Sequence, residues 1–200
     1  IKHLSGTDVN RYVINWQGNY LNYGEWIAAP RNPIFFEGDR LIIREIPGKK
    51  GLIVSYTSIK YTVKNTAHIF KVSNIEYSIF SLLGVLNSKL IGFYFKKKFS
   101  EDDDVFPKAK LGQCKKLPIS INLRNKKDFN DIVTRMISLI KDSTVVLGKF
   151  KKYFQQIFKL DRLSRKLENW YELDFAEFIK ELNKAIKANN KLREKNALVD

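Results

Sequence analysis

The sequence has 200 residues, of which 44% are hydrophobic and 13% aromatic, so it can bury a sizeable core and is not intrinsically disordered. It carries 36 lysines and arginines against 21 aspartates and glutamates, a formal net charge of +15. We find no apolar run long enough to span a membrane and no signal-peptide pattern, which favours a soluble protein. One cysteine, Cys114, excludes an internal disulfide or a thiolate zinc cluster and suits a reducing cytoplasm.

The positive charge occurs in both halves of the chain, not in a single tail. A polyanion is the natural partner, because each phosphate that a cation neutralises releases condensed counterions. The alternative is a basic protein with no polyanionic ligand. The sequence begins at Ile1 without an initiator methionine, and we interpret it as a segment of a longer polypeptide.

Residues 1–36 are aromatic and are interrupted by glycine and proline, a pattern typical of short strands and turns. Residues 12–14 are the best strand candidate in this region. Aromatic rings near Arg11 and Arg31 could stack on bases, but such rings more often pack in a core, and we favour packing.

Residues 41–46 are apolar on both faces, which predicts a central strand. A turn at 47–51 and a second apolar run at 52–56 predict an antiparallel hairpin, and residues 67–72 predict a third strand.

Arg40 and Arg44 lie in or beside the first of these strands. A buried arginine needs a partner, and Glu37, Asp39 or Glu45 could supply it. We favour pairing within the protein for Arg44, whereas pairing and base contact both stay open for Arg40.

Residues 77–98 predict one helix, which we expect to be the centre of the fold. Asn74 is a candidate N-cap, and the lysines at 96–98 have the favourable sign for a helix C-terminus. The apolar face of this helix comprises Ile79, Leu82, Leu83, Leu86, Leu90 and Phe93.

After residue 119 the pattern becomes helical. One helix follows Asp128 as a candidate cap, and a last one opens near Asp174. The apolar positions of the first are Phe129, Ile132, Val133, Met136, Ile137 and Ile140, continued by Val146, Phe150, Phe154 and Phe158, with Gly148 as a weak point; those of the last are Phe175, Phe178, Ile179, Leu182 and Ile186. We therefore divide the chain into a β-rich domain at 1–121 and a helical part at 122–200.

Three segments, LLGVLNSKL, FYFKKKF and FPKAKLGQCKKLPI, occur in this order between residues 82 and 119. Together with Trp26–Arg31 (WIAAPR), IFF at 34–36 and DRLIIREI at 39–46, they resemble the TaqI-like C-terminal specificity domain of DNA-modifying enzymes. This domain is the target-recognition part of N6-adenine methyltransferases and of fused restriction-modification polypeptides. The resemblance covers residues 23–121.

The resemblance implies an α+β fold, with a curved, mostly antiparallel sheet packed on the helix at 77–98 and a helical C-terminal part. It also implies that loops of the β region face DNA, here Lys49, Lys50 and the polar stretch at 56–62. The final helices resemble spacers that place such a domain against its methyltransferase. The alternative is that they form an ordinary helical subdomain.

A loop on a rigid sheet can enter the major groove, where lysine donates to guanine and hydroxyls read other base edges. Exposed turns of any protein also carry lysines, so each of these lysines could equally be exposed to solvent without contacting DNA. The candidate DNA-binding residues are Arg40, Lys49, Lys50, Tyr56, Ser58, Lys60, Lys96, Lys97, Lys108 and Lys110.

We find no catalytic set in the sequence. The Asn-Pro-Pro-aromatic motif of the resembled methyltransferases is not reproduced by NPIF at 32–35, and no glycine-rich cofactor fingerprint or PD-(D/E)xK pattern is present. His68 is expected to be packed or solvated, and Asp102, Asp103 and Asp104 are expected to form a solvated loop and not a Mg²⁺ site. Cys114 lies beside two lysines that could lower its pKa, but we favour a packed thiol.

The sequence thus predicts a non-catalytic, sequence-specific recognition domain for double-stranded DNA. By the resemblance, its partner is the methyltransferase domain of the same parent polypeptide, with S-adenosylmethionine, and Mg²⁺ if a nuclease is fused, bound in the other parts of that parent. We expect a cytoplasmic location and no membrane partner. The alternative is a helical assembly or docking module of a restriction-modification complex with only weak DNA contact.

Overall fold

The computed structural model describes residues 1–73, 76–99, 108–123 and 126–197, the last seven of these for their backbone only. The fold is α+β, about 49% helical and 13% strand, as the sequence predicts. Two compact units, Ile1–Lys141 and Asp142–Asp200, are described separately below. The boundary that we drew at 121/122 from the sequence stays a prediction.

The first unit contains two small sheets. Strands β2 (Arg40–Arg44), β3 (Val54–Thr57) and β5 (Ala67–Phe70) form an antiparallel sheet in the order β3-β2-β5. Strands β1 (Lys2–Leu4) and β4 (Tyr61–Val63) form a parallel pair that the sequence did not indicate.

The predicted hairpin is present as β2 and β3, with Ile42 opposite Ser55. β2 is central because both its faces are apolar: Leu41 and Ile43 contact one core cluster, and Ile42 contacts another. The strands are shorter than predicted, so the connection between them spans residues 45–53.

The strand predicted at 12–14 was wrong. Tyr12 has a positive φ of 68°, which an extended strand does not allow. Its segment instead crosses the edge of β3, where the Tyr12 N–H donates to the Val54 carbonyl at 2.9 Å and the Ser55 hydroxyl donates to the Val13 carbonyl at 2.9 Å.

The helix predicted at 77–98 is broken into α1 (Ile79–Leu86) and α2 (Lys89–Phe99), bent by 63°. At the break, the buried Asn87 side chain accepts from the Val54 N–H at 3.1 Å and donates to the Val54 carbonyl at 2.9 Å. Ser88 then accepts from the Ile91 N–H at 3.2 Å, which opens the second helix.

The break changes which side chains face the core. Leu90 and Phe93, predicted on the buried face, are 75% and 62% exposed, whereas Ile91 and Phe95 are buried, because the phase of the helix restarts at residue 88. The cap of α1 is Ser78, which accepts from the Phe80 N–H; Asn74 lies outside the described residues.

Two more helices begin in the first unit. They are the short α3 (Leu111–Cys114) and the long α4 (Lys127–Ile157), whose second half belongs to the second unit. α4 starts one residue before Asp128, so this residue lies in the first turn and is not the cap. Val133 and Ile137 of α4 are buried in the core of the first unit, but Ile132 and Met136 are exposed, contrary to prediction.

The second unit comprises the rest of α4, the short α5 (Arg165–Glu168) and α6 (Phe175–Ala197). Its core contains Phe154, Leu160, Leu167 and Leu182. The predicted start of the last helix is confirmed: the Asp174 carboxylate accepts from the Glu177 N–H at 2.7 Å. Phe175 is 79% exposed, so it was wrongly placed on the apolar face.

We predict that Asn87→Ala destabilises the protein by about 1–3 kcal/mol, because it leaves the buried Val54 N–H without its partner, whereas the Val54 carbonyl keeps the bond from the Tyr12 N–H. Chemical denaturation measures this change. The matched control is Asn122→Ala at an exposed position, which we expect to change stability by less than about 0.5 kcal/mol. Equal stability of the two variants would contradict the role assigned to Asn87.

Candidate nucleic-acid interface

The connection between β2 and β3 ends in a tight turn that carries two lysines. Gly48 and Gly51 exchange two backbone hydrogen bonds, of 2.9 and 3.0 Å, and Lys49 and Lys50 lie exposed between them. Gly51 has a φ of 106°, a conformation that strains any other L-residue. The backbone therefore fixes the point at which both lysines leave the surface.

Helix α2 supports this turn through glycine. A Cβ atom added to Gly92 would lie 2.5 Å from the Lys50 carbonyl oxygen and 3.0 Å from the Gly51 Cα. The turn and the helix thus pack backbone against backbone, which only glycine allows. This contact depends on the direction that α2 takes after the break at Asn87.

Further lysines lie on two segments that contact the turn or the start of the connection that carries it. The Lys96 ammonium donates to the Lys49 carbonyl at 2.6 Å. At the start of the connection, Glu45 accepts a backbone bond from Ala109 at 2.7 Å, and its carboxylate lies 3.4 Å from the Lys108 ammonium. We call the exposed lysines of these three segments the basic surface: Lys49, Lys50, Lys96, Lys97, Lys108 and Lys110.

Tyr56, Ser58 and Lys60 do not join the basic surface, because they lie at the opposite end of the antiparallel sheet. Lys60 is paired with Glu37 at 2.5 Å, and the Tyr56 hydroxyl donates to Asp39 at 2.7 Å. Through these hydrogen bonds, Lys60 lowers the pKa of Glu37 and Asp39 raises the pKa of Tyr56. The positive charge of Lys60 is therefore partly neutralised.

Arg40 was wrongly included among the candidate DNA-binding residues, because its side chain is fully buried. Its guanidinium donates to the carbonyls of Gly38, at 2.6 Å, and of Ile59. Neither of the carboxylates expected to pair with it, Glu37 or Asp39, takes this role. Burial lowers the pKa of Arg40, although an arginine stays charged at neutral pH. Its role is to hold the turn after β3.

The structure distinguishes between the two roles considered for the Cys114 thiol, a packed group and an activated one. Its thiol is buried, and burial raises its pKa to about 11, which supports the packed thiol over an activated one. Asp102, Asp103 and Asp104 lie outside the described residues. Among the residues that are described, no three or more of His, Cys, Asp and Glu form a group suited to a metal ion.

In the described ranges, no single helix has both the length and the apolar composition to cross a membrane; α1 and α2 meet these criteria only as a bent pair.

The sequence analysis missed two residues that shape this surface, Asn87 and Gly92. A glycine inside a helical pattern can indicate close packing, so Gly92 and the glycines of the turn could have indicated the contact between α2 and the turn. No comparable signal marks Asn87, because its partners on Val54 lie 33 residues away.

We predict that Gly92→Ala displaces the lysine turn and lowers the free energy of unfolding by about 1–3 kcal/mol, since the new methyl group overlaps the Lys50 carbonyl. The matched control is Gly148→Ala in α4, where no atom lies within 4 Å of the added Cβ. There we expect a gain of up to about 1 kcal/mol from helix propensity. Chemical denaturation of both variants is the measurement, and a stabilised Gly92→Ala would contradict the close contact.

We also predict that Cys114 of the folded protein reacts with iodoacetamide at pH 8 at least about 100-fold more slowly than in denaturant, because little thiolate is present and access is blocked. Mass spectrometry of the alkylated protein over time measures both rates. Comparable rates would show that the thiol is accessible and has an ordinary pKa, which would contradict its burial.

Two families match this chain. The TaqI-like C-terminal specificity domain matches residues 1–119, and a domain of unknown function (DUF8810) matches residues 122–200. A search of curated proteins found no match. The first match covers the described sheets, the helices α1 to α3 and the whole basic surface. The chain therefore belongs to the family of TaqI-like C-terminal specificity domains.

Proposed function

We propose that this chain recognises a specific sequence of double-stranded DNA on behalf of an adenine-specific methyltransferase or a fused restriction-modification enzyme, and is itself non-catalytic. The observation that carries the proposal is the basic surface, in which six exposed lysines lie on one rigid turn and on two segments bonded to the turn or to the start of its connection. Membership of a family of specificity domains supports it.

The lysines of the basic surface divide into two roles. Lys49 and Lys50, at the tip of the turn, enter the major groove and donate to base edges. Lys96, Lys97, Lys108 and Lys110, on the flanking segments, contact phosphates and fix the register of the protein on the duplex. The backbone packing of Gly51 on Gly92 keeps the tip in place, so binding does not have to order a flexible loop.

The chemistry belongs to the parent enzyme. Its catalytic domain would extrude the target adenine and methylate it with S-adenosylmethionine, while this chain holds the surrounding sequence. A cofactor is not needed for the role of this chain, and its partners are the duplex and that catalytic domain.

The test is the salt dependence of binding to a random-sequence duplex of about 30 base pairs, followed by fluorescence anisotropy. We expect binding that weakens steeply with salt. In Lys49→Ala/Lys50→Ala/Lys96→Ala, the slope of log K against log salt becomes shallower by about 0.9 for each phosphate that the protein no longer neutralises. Because this variant also cannot donate to base edges from the turn, its affinity falls at every salt concentration.

The matched control is Lys180→Ala/Lys184→Ala/Lys187→Ala in α6, which removes the same charge from exposed positions in the second unit. We expect its slope to stay close to that of the unaltered protein. Lys60→Ala should also have a small effect because Glu37 already pairs with this lysine. Equal effects of both triple variants, or no binding at low salt, would overturn the proposal.

A further inference from the structure

Helix α4 carries a second row of apolar side chains that, apart from Phe150, belong to neither core. The row steps by four and three residues in strict alternation, and apart from Phe150 its apolar members are between 37% and 63% exposed. The core-facing side chains of this helix, including Val133, Ile137 and Phe154, occupy a neighbouring face. The members of the row, which we call the α4 seam, are Ile132, Met136, Leu139, Ser143, Val146, Phe150, Tyr153 and Ile157.

The spacing of the α4 seam is that of a coiled coil, in which apolar residues repeat every 3.5 residues on average. Seven of its eight members are apolar, and it extends over nearly four heptads. All members of the α4 seam belong to one continuous helix, Lys127–Ile157, so their alignment in one row follows from the geometry of that helix. A row of this kind is complementary to another helix, not to a flat surface or a duplex.

The seam is self-complementary when two copies of α4 run antiparallel. One register then pairs every member with another: Ile132 with Ile157, Met136 with Tyr153, Leu139 with Phe150, and Ser143 with Val146. Each pair occurs twice about a two-fold axis, which closes the assembly as a dimer. The pair of Ser143 with Val146, which contains the one polar member of the seam, lies at the centre.

The charges beside the seam favour the same arrangement. Asp142 and Lys149 occupy equivalent flanking positions, each one residue before a seam residue, and in the antiparallel register Asp142 of one copy faces Lys149 of the other. A parallel pair would instead set Asp142 and Lys149 beside the apolar Leu147 and Phe154 of the other copy. The attraction between Asp142 and Lys149 is then lost, which disfavours the parallel arrangement.

We propose that the chain forms a homodimer through an antiparallel coiled coil along the α4 seam. This inference goes beyond the DNA-recognition function and does not depend on it. Phe150 also contacts Trp170, with ring centroids 4.7 Å apart, so it lies at the border between the seam and the core of the second unit.

The first test is sedimentation equilibrium of the 200-residue chain and of two variants that differ by one position. Val146→Glu places a carboxylate in the seam, whereas Val145→Glu places it on the adjacent outward face; the two valines are 63% and 56% exposed. We expect a dimer whose dissociation constant rises at least about 100-fold in Val146→Glu and less than about threefold in Val145→Glu.

The second test fixes the orientation of the helices by disulfide formation under mild oxidation. In the antiparallel register Ser143 of one copy contacts Val146 of the other, so Ser143→Cys and Val146→Cys chains cross-link when mixed but not when alone. The native Cys114 is buried and does not interfere. Circular dichroism confirms that each variant is folded.

A chain that stays monomeric up to about 100 μM would overturn the proposal, as would a dimer that Val146→Glu and Val145→Glu weaken equally. Cross-linking of Ser143→Cys with itself would overturn the antiparallel register. Both assays are done without DNA, so failure of the dimer and failure of DNA recognition are distinguishable.

Discussion

The buried amide of Asn87 is the interaction on which the placement of the basic surface depends. It accepts from the Val54 N–H and donates to the Val54 carbonyl, which also accepts from the Tyr12 N–H, and it does so at the point where α1 ends. Because an unpaired backbone group in a core costs about 1–3 kcal/mol, the helix cannot continue straight through this position without a decrease in stability. The resulting 63° bend aims Gly92 at the lysine turn.

The antiparallel sheet separates two polar regions of different character. At the end with the turn, the described residues include six exposed lysines, of which Lys108 pairs with the Glu45 carboxylate. At the other end, Glu37 and Asp39 engage Lys60 and Tyr56, and the carbonyls of Gly38 and Ile59 hold Arg40. The same secondary structure thus supports an open electrostatic surface at one end and a closed hydrogen-bonded network at the other.

The sequence was informative where a local pattern determines the structure. Residues 41–46 are apolar on both faces, and β2 is indeed the central strand; Asp174 does begin the last helix. Prediction failed where distant partners determine the structure. The apolar spacing predicts one continuous helix, but the bonds of Asn87 to Val54 break it. Three-residue strands such as β1 are too short to show an alternating pattern. Arg40 illustrates the same limit at the candidate site, because its carbonyl partners, unlike carboxylates, leave no trace in the sequence.

We propose that the basic surface, and not the far end of the sheet, faces DNA. The most direct measurement is amine acetylation of each lysine, quantified by mass spectrometry with and without a saturating duplex. The account predicts protection of Lys49, Lys50 and Lys96, with little change at Lys60 and at the α6 lysines. Protection centred on Lys60, with Lys49 and Lys50 still fully reactive in the complex, would contradict it.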